Sequence, residues 1–270
     1  MSGFDDEDDL NQLEDALRPL RYQPRRAELE VRLEPRRPRL PWRAWATAAA
    51  LVLAAGLGAA WYLHRRTPGW AIAQVDGVVH VSPIARLTGR LHTGERLETA
   101  AGRAQLRVGS IGDVTIGPSS RIRLLENTPG RQALSLDYGD LQASILAPPR
   151  QFQVDTPAAR AVDLGCAYAL HVDRAGNGHL EVTMGWVSFE FQGRQSFIPV
   201  GAACRTRRGL GPGTPYYLDA DPALIATLDT VDFDPDAATR RDARQRLLPL
   251  ARRHDALTLW HLLARGTLEE

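Results

Sequence analysis

The stretch GRAQLRVGSIGDVTIGPSSRIRL, residues 102–124, decides the fold class. Within it, apolar and polar residues alternate in short runs, as in Ala104 to Val108 and Asp113 to Ile116, and glycine, proline and serine separate the runs. Alternation with a period of two is typical of half-buried β-strands, and the separating residues are typical of turns. The stretch therefore predicts several short β-strands.

The same pattern continues in both directions, from about Trp70 to Thr206, at intervals near ten residues. About a dozen short strands fit this region, and no helical stretch lies between them, which excludes a parallel βαβ architecture. The sequence predicts a mainly β domain over residues 67–206. A β-sandwich, a barrel and a short β-solenoid all satisfy the pattern.

Seven pieces of this region, taken in chain order, resemble FecR-like domains. They are GVVHV at 77–81, LHTGERLET at 91–99, GRAQLRV at 102–108, VTIGPSS at 114–120, LDYGDL at 136–141, FQVDTP at 152–157 and VTMGWV at 182–187. The resemblance covers roughly residues 70–200. It departs at LGCAY, residues 164–168, where the family usually shows Gly-Thr-x-Phe.

Residues 44–63, AWATAAALVLAAGLGAAWYL, contain no charged residue. As a helix they would extend about 30 Å, the thickness of the hydrocarbon core of a bilayer. Aromatic side chains flank both ends, where they favour the membrane interface: Trp42, Trp45, Trp61 and Tyr62. The sequence therefore predicts one N-terminal transmembrane helix, and an uncleaved one, since 43 residues precede it.

Flanking charge predicts the orientation of this helix. Seven arginines lie in the 20 residues before it, and only Arg65 and Arg66 lie in the 20 after it. Because positively charged flanks stay on the cytoplasmic side, we expect residues 1–43 in the cytoplasm and the C-terminus in the periplasm of a bacterial inner-membrane protein.

The predicted cytoplasmic tail, residues 1–43, carries a candidate partner contact. Leu10, Leu13 and Leu17 recur at helical spacing behind an acidic run, which predicts a short amphipathic helix near residues 8–18. Such a short helix needs a partner to bury its leucines. A solvated tail without a partner is the alternative.

Cys166 and Cys204 are the only cysteines, and both fall on the predicted periplasmic side. A disulfide between them is permitted in that oxidising compartment, and two small buried apolar residues are the alternative. Glu190 and Asp140 lie on ordinary alternating strands, with nothing to assign them as acid and base. We find no catalytic constellation, metal site or cofactor motif, and we expect no enzyme.

Beyond the β domain, GLGPG at 209–213 lacks the ending of a phosphate-binding loop and predicts a Gly/Pro connector over residues 207–220. Residues 221–270 predict helices, the first capped by Asp221 with Pro222 in its first turn. This helical region is too small to hold a core unaided, so it either docks on the β domain or binds something else.

The family resemblance implies a periplasmic sensing domain on a single-span protein. Such a protein relays an envelope or outer-membrane signal to an extracytoplasmic-function (ECF) sigma factor, as an anti-sigma regulator. The rival function is an envelope scaffold or glycan-binding protein that uses the β domain as a passive surface, and a degenerate hydrolase is a third. A net charge of +1 gives no reason to expect direct nucleic-acid binding.

Overall fold

The computed structural model describes residue 16 and residues 52–58, 69–82 and 89–266. The chain divides into two units, Met1–Ala60 and Trp61–Glu270. In the first unit residues 52–58 are helical, and the rest of the predicted span at 44–63 lies outside the described residues. Among the residues described, no helix is long and apolar enough to cross a membrane.

The second unit is mainly β, as the sequence predicts. Its strands are β1 (Trp70–Asp76), β2 (Val79–Ser82), β3 (Gly89–Leu91), β4 (Arg96–Thr99), β5 (Arg103–Val108), β6 (Gly112–Ile116), β7 (Arg121–Thr128), β8 (Arg131–Ile145), β9 (Phe152–Asp155), β10 (Arg160–Asp163), β11 (Ala167–Val172), β12 (Gly178–Met184), β13 (Trp186–Phe191), β14 (Arg194–Pro199), β15 (Ala202–Arg207), β16 (Gly211–Pro212) and β17 (Tyr216–Tyr217).

The strands form two sheets. Sheet I has the spatial order β3, β1, β5, β6, second half of β8, β11, β12 and β15, and β16 and β17 both pair with β15. Sheet II has the order β2, β4, β7, first half of β8, β9, β10, β13 and β14. Only the β8–β9 pair is parallel. Neither sheet closes into a barrel.

The long strand β8 joins the two sheets and bends at Gly139. Tyr138 still pairs with Arg121 in sheet II, whereas Gly139 pairs with Val172 in sheet I. Gly139 has a φ of +103°, and a Cβ atom there would lie 2.1 Å from the Ser120 hydroxyl. The bend therefore requires glycine, because the link between β6 and β7 crosses β8 at this point.

The inner faces of both sheets build one hydrophobic core. Sheet I contributes Leu106 and Leu170, sheet II contributes Leu134 and Phe189, and all four are buried. The layers are those of a sandwich, while successive strands are added nearly in chain order, as in a solenoid. Of the three architectures that the sequence left open, the structure thus combines features of the sandwich and the solenoid.

The predicted connector, residues 207–220, is instead part of the sheet. Gly209 and Gly211 turn the chain with φ near +80°, so that β16 and β17 return along β15. Residues 211–216 are buried. The Gly/Pro composition predicted a flexible segment, but here it allows the tight turn between β15 and β16.

Three helices follow: α1 (Pro222–Phe233), α2 (Ala237–Leu250) and α3 (Ala256–Ala264). Asp221 caps α1 by accepting a hydrogen bond from the Ala223 N–H. The helices dock on the β domain, because a second core combines Ala203 and Tyr216 of sheet I with Leu224, Leu247 and Leu262 of the helices.

Candidate functional site

All seven residues predicted to contact a partner or the membrane lie outside the described residues. These are Leu10, Leu13, Leu17, Trp42, Trp45, Trp61 and Tyr62. The structure therefore bears on sites in the second unit alone.

The two cysteines do not form the disulfide that the sequence permits; both are free and buried. Cys166 lies in the turn before β11, and its Sγ is 2.7 Å from Oδ2 of Asp163. Burial, and then the Asp163 carboxylate, raise the pKa of the Cys166 thiol well above its ordinary value. Asp163 is itself buried and accepts a hydrogen bond from the Gly165 N–H at 2.6 Å. Cys166 is thus one member of a local polar cluster.

Cys204 lies on β15, and its Sγ is 3.3 Å from the carbonyl oxygen of Gly213. Burial raises the pKa of this thiol to about 12. Each cysteine contacts a different polar group, and the two are not bonded to each other. They are therefore two small buried residues, the alternative that the sequence allowed. Both are unreactive as thiolates near neutral pH.

A buried ion pair, here called the clamp, lies where the helices meet the β domain. Asp232 of α1 accepts hydrogen bonds from the backbone N–H and the hydroxyl of Thr214, at 2.6 and 2.9 Å. Arg265, directly after α3, approaches Asp232 to 3.6 Å and donates to Ser196 and to the carbonyl of Gly213. Burial raises the pKa of Asp232 and lowers that of Arg265. The clamp connects α1 and the end of α3 to β14 and to the segment between β16 and β17.

A row of charged and titratable side chains crosses the outer face of sheet I. Asp140, His171, His179 and Arg205 occupy directly opposite positions on four neighbouring strands. His171 Nδ1 is 2.7 Å from Asp140 Oδ1. Burial lowers the pKa of His179. Within the described ranges, no group of three His, Cys, Asp or Glu side chains is arranged to hold a metal ion.

The outer face of sheet II carries an open groove of about 710 Å³. Asp155, Arg160, Glu190 and Gln195 form a row across β9, β10, β13 and β14. Arg160 makes two hydrogen bonds to Asp155, at 2.6 and 3.2 Å. Glu190 accepts from Gln195 at 3.1 Å. The floor of the groove is therefore a pre-ordered polar network.

Arg150 and Arg194 extend this network at the two sides of the groove. Arg150, in the loop before β9, donates to both carboxylate oxygens of Glu190, at 3.1 and 3.4 Å. Arg194 begins β14 and lies 3.8 Å from Asp232 of the clamp. Arg194 thus belongs both to the groove lining and to the surroundings of the clamp.

Sequence reasoning did not find the groove. It named Glu190 only as a carboxylate with nothing to assign it as an acid or a base, and the structure gives it Arg150, Arg160 and Gln195 as neighbours. The available signal was that polar residues alternate on β9, β10, β13 and β14. Only the strand register, which local sequence does not specify, brings them into one row.

Comparison with known proteins points to one family. Residues 95–188, from the start of β4 into β13, match the family described as FecR protein. No curated protein matches the chain.

Two solved structures are similar to this chain, both of a candidate anti-sigma factor from Parabacteroides distasonis, at 1.65 and 2.50 Å resolution. Each is 13% identical to this chain, and the TM-scores are 0.40 and 0.39. The similarity covers 50% and 49% of this chain and 64% and 62% of those chains. This chain therefore spans less than two thirds of the length of either.

Proposed function

We propose that this chain, whose residues 95–188 match the family described as FecR protein, is an anti-sigma regulator of transcription. In this proposal the two-sheet domain receives a signal in the periplasm. The N-terminal tail holds an ECF sigma factor in the cytoplasm, and a single inner-membrane helix at residues 44–63 joins the two. The family match within the two-sheet domain is the observation that carries the proposal.

The sequence supports the proposed topology independently of the family. The uncharged run at 44–63 has the length of a membrane span, and arginines are concentrated before it. Leu10, Leu13 and Leu17 supply the apolar stripe that a folded partner would cover.

Co-purification tests the sigma-factor partner. The full chain, extracted from its native membranes in mild detergent, should bring down one sigma factor. Replacement of Leu10, Leu13 and Leu17 by alanine should abolish recovery, because the apolar stripe is lost. The control replaces Asn11, Gln12 and Glu14 by alanine in the same segment and should retain the partner.

Absence of any sigma factor with the wild type, or equal recovery with both triple variants, would contradict the proposal. The first outcome favours the envelope scaffold. The second shows that the leucines are not the contact.

A further inference from the structure

The groove on sheet II holds two backbone outliers. Among the described residues, three non-glycine residues have positive φ, namely Ser119, Arg150 and Gln192, and two of these line the groove. Gln192 and Gly193 form the two-residue turn between β13 and β14, in which positive φ is ordinary, whereas Arg150 lies in a loop and keeps its conformation only because its surroundings enforce it. The backbone N–H of Arg150 donates to the carbonyl of Asp163 at 2.8 Å. This hydrogen bond holds the Arg150 backbone so that its guanidinium lies beside Glu190.

The charges of the lining favour an acidic ligand. Three guanidinium groups, from Arg150, Arg160 and Arg194, face two carboxylates, from Asp155 and Glu190. Arg150 and Arg160 are paired with these carboxylates, whereas Arg194 reaches only the Leu210 carbonyl at 3.4 Å and Asp232 at 3.8 Å. Because Arg194 shares the Asp232 carboxylate with Arg265, one positive charge at this end of the groove is not neutralised within the protein and can pair with a carboxylate of a ligand.

The remaining lining groups fit hydroxyl-rich ligands. Gln192 and Gln195 place two amides beside the carboxylates of Asp155 and Glu190, whereas the Thr156 hydroxyl already donates to the Ala159 carbonyl at 2.7 Å. Sugar hydroxyls both donate and accept hydrogen bonds, so they can pair with carboxylates, amides and guanidinium groups together. A volume of about 710 Å³ would hold several sugar rings.

An extended peptide fits this face less well. Peptides commonly bind by adding a strand to a free sheet edge, and β14 is the edge strand beside the groove. Its Phe197 N–H already donates to His261 Nε2 at 3.1 Å, and the Ser196 hydroxyl donates to the Gly213 carbonyl. The α3 helix thus occupies the backbone donor that an added strand would need at Phe197.

We propose that the groove lined by Arg150, Arg160, Glu190 and Arg194 binds an acidic oligosaccharide. Its hydroxyl groups pair with the polar row, and one of its carboxylates pairs with Arg194. Binding does not depend on the regulatory role, because the groove is complete within the second unit. The groove would bind a periplasmic ligand whether the protein is a regulator or a scaffold.

Isothermal titration of the purified full chain tests this site with three ligands: tetragalacturonate, neutral tetragalactose and tetraglutamate. Tetragalacturonate should bind, and the other two should bind at least about tenfold more weakly. Tetragalactose lacks the carboxylates, and tetraglutamate lacks the sugar hydroxyls. Equal binding of tetragalactose would overturn the carboxylate contact. Equal binding of tetraglutamate would overturn the preference for a sugar.

Arginine variants locate the site. Arg150→Gln should weaken tetragalacturonate binding by about tenfold. Arg131→Gln is the matched control, since Arg131 is 60% exposed and paired with Glu126 at 3.0 Å, while Arg150 is 57% exposed and paired at 3.1 Å. Unchanged affinity in a folded Arg150→Gln variant, or equal loss in both variants, would overturn the assignment to this groove. Thermal melting establishes that both variants are folded.

Discussion

His261 is a buried histidine whose two ring nitrogens have different partners. Nε2 accepts a hydrogen bond from the Phe197 N–H at 3.1 Å, and Nδ1 lies 2.9 Å from the Leu257 carbonyl oxygen. This pattern assigns the neutral ring with its proton on Nδ1. Burial lowers the pKa of His261, and the positive charge of Arg265 lowers it further.

Stability should therefore fall in mild acid. Because the folded pKa lies below that of the unfolded chain, the unfolded chain binds more protons between the two values. The free energy of unfolding then decreases as the pH drops below about 6.5. His261→Gln should cost about 1 kcal/mol at pH 7.5 and show a shallower loss toward pH 5.5. Urea unfolding across this range measures both effects.

The exposed His80→Gln variant is the control for this experiment, and it should follow the wild type at every pH. Identical slopes for His261→Gln and the wild type would show that His261 does not contribute to the pH dependence.

At the scale of strands, Gly139 sets the crossing between the two sheets. Gly139→Ala should lower the free energy of unfolding by about 4 kcal/mol or more, because its Cβ would overlap Ser120 in a strained backbone conformation. Gly130 is a matched control, since its φ is also positive, at +80°, but no atom lies within 4 Å of the added Cβ. Gly130→Ala should cost only about 1–2 kcal/mol. Chemical denaturation of both variants compares them, and equal losses would contradict the role of the crossing.

The clamp holds the helices against the β domain, as Gly139 sets the crossing between the two sheets. Asp232→Ala should destabilise the protein by about 3–5 kcal/mol, because Arg265 is left buried without its carboxylate. Glu98→Gln, at the partly exposed Arg121–Glu98 pair, should cost no more than about 1 kcal/mol. Hydrogen exchange should show earlier opening of α1 and α3 in Asp232→Ala. Unchanged protection of both helices would contradict the role of the clamp.

The sequence predicted the elements that local interactions define, and it missed those that depend on contacts between residues distant in the chain. Alternation predicted the strands, such as Ala104 to Val108, because the side-chain period of a strand is local. The segment that carries β16 and β17, which both pair with β15, was wrongly predicted as a connector. The stability of this segment depends on Asp232, which accepts hydrogen bonds from Thr214. Asp232 lies 18 residues beyond Thr214 in the chain. The polar groove was missed for the same reason, since only register joins Arg160 to Glu190.

At the scale of the whole second unit, sheet order follows chain order closely. The family match, residues 95–188, covers the middle of both sheets, while the helices cover the end formed by β15 and β17. The groove combines residues from the matched region, such as Arg160, with Arg194 beyond it. Because Arg194 also approaches the clamp, a ligand in the groove and the docking of the helices involve the same side chain.

Transcript profiling of a deletion strain tests the central proposal, that this chain regulates transcription. Deletion should change one coherent set of transcripts, those of a single sigma factor. The wild-type gene should restore them, and the variant with Leu10, Leu13 and Leu17 replaced by alanine should not. An unchanged transcript profile, in cells where the wild-type protein is made, would contradict the regulatory account and favour the envelope scaffold.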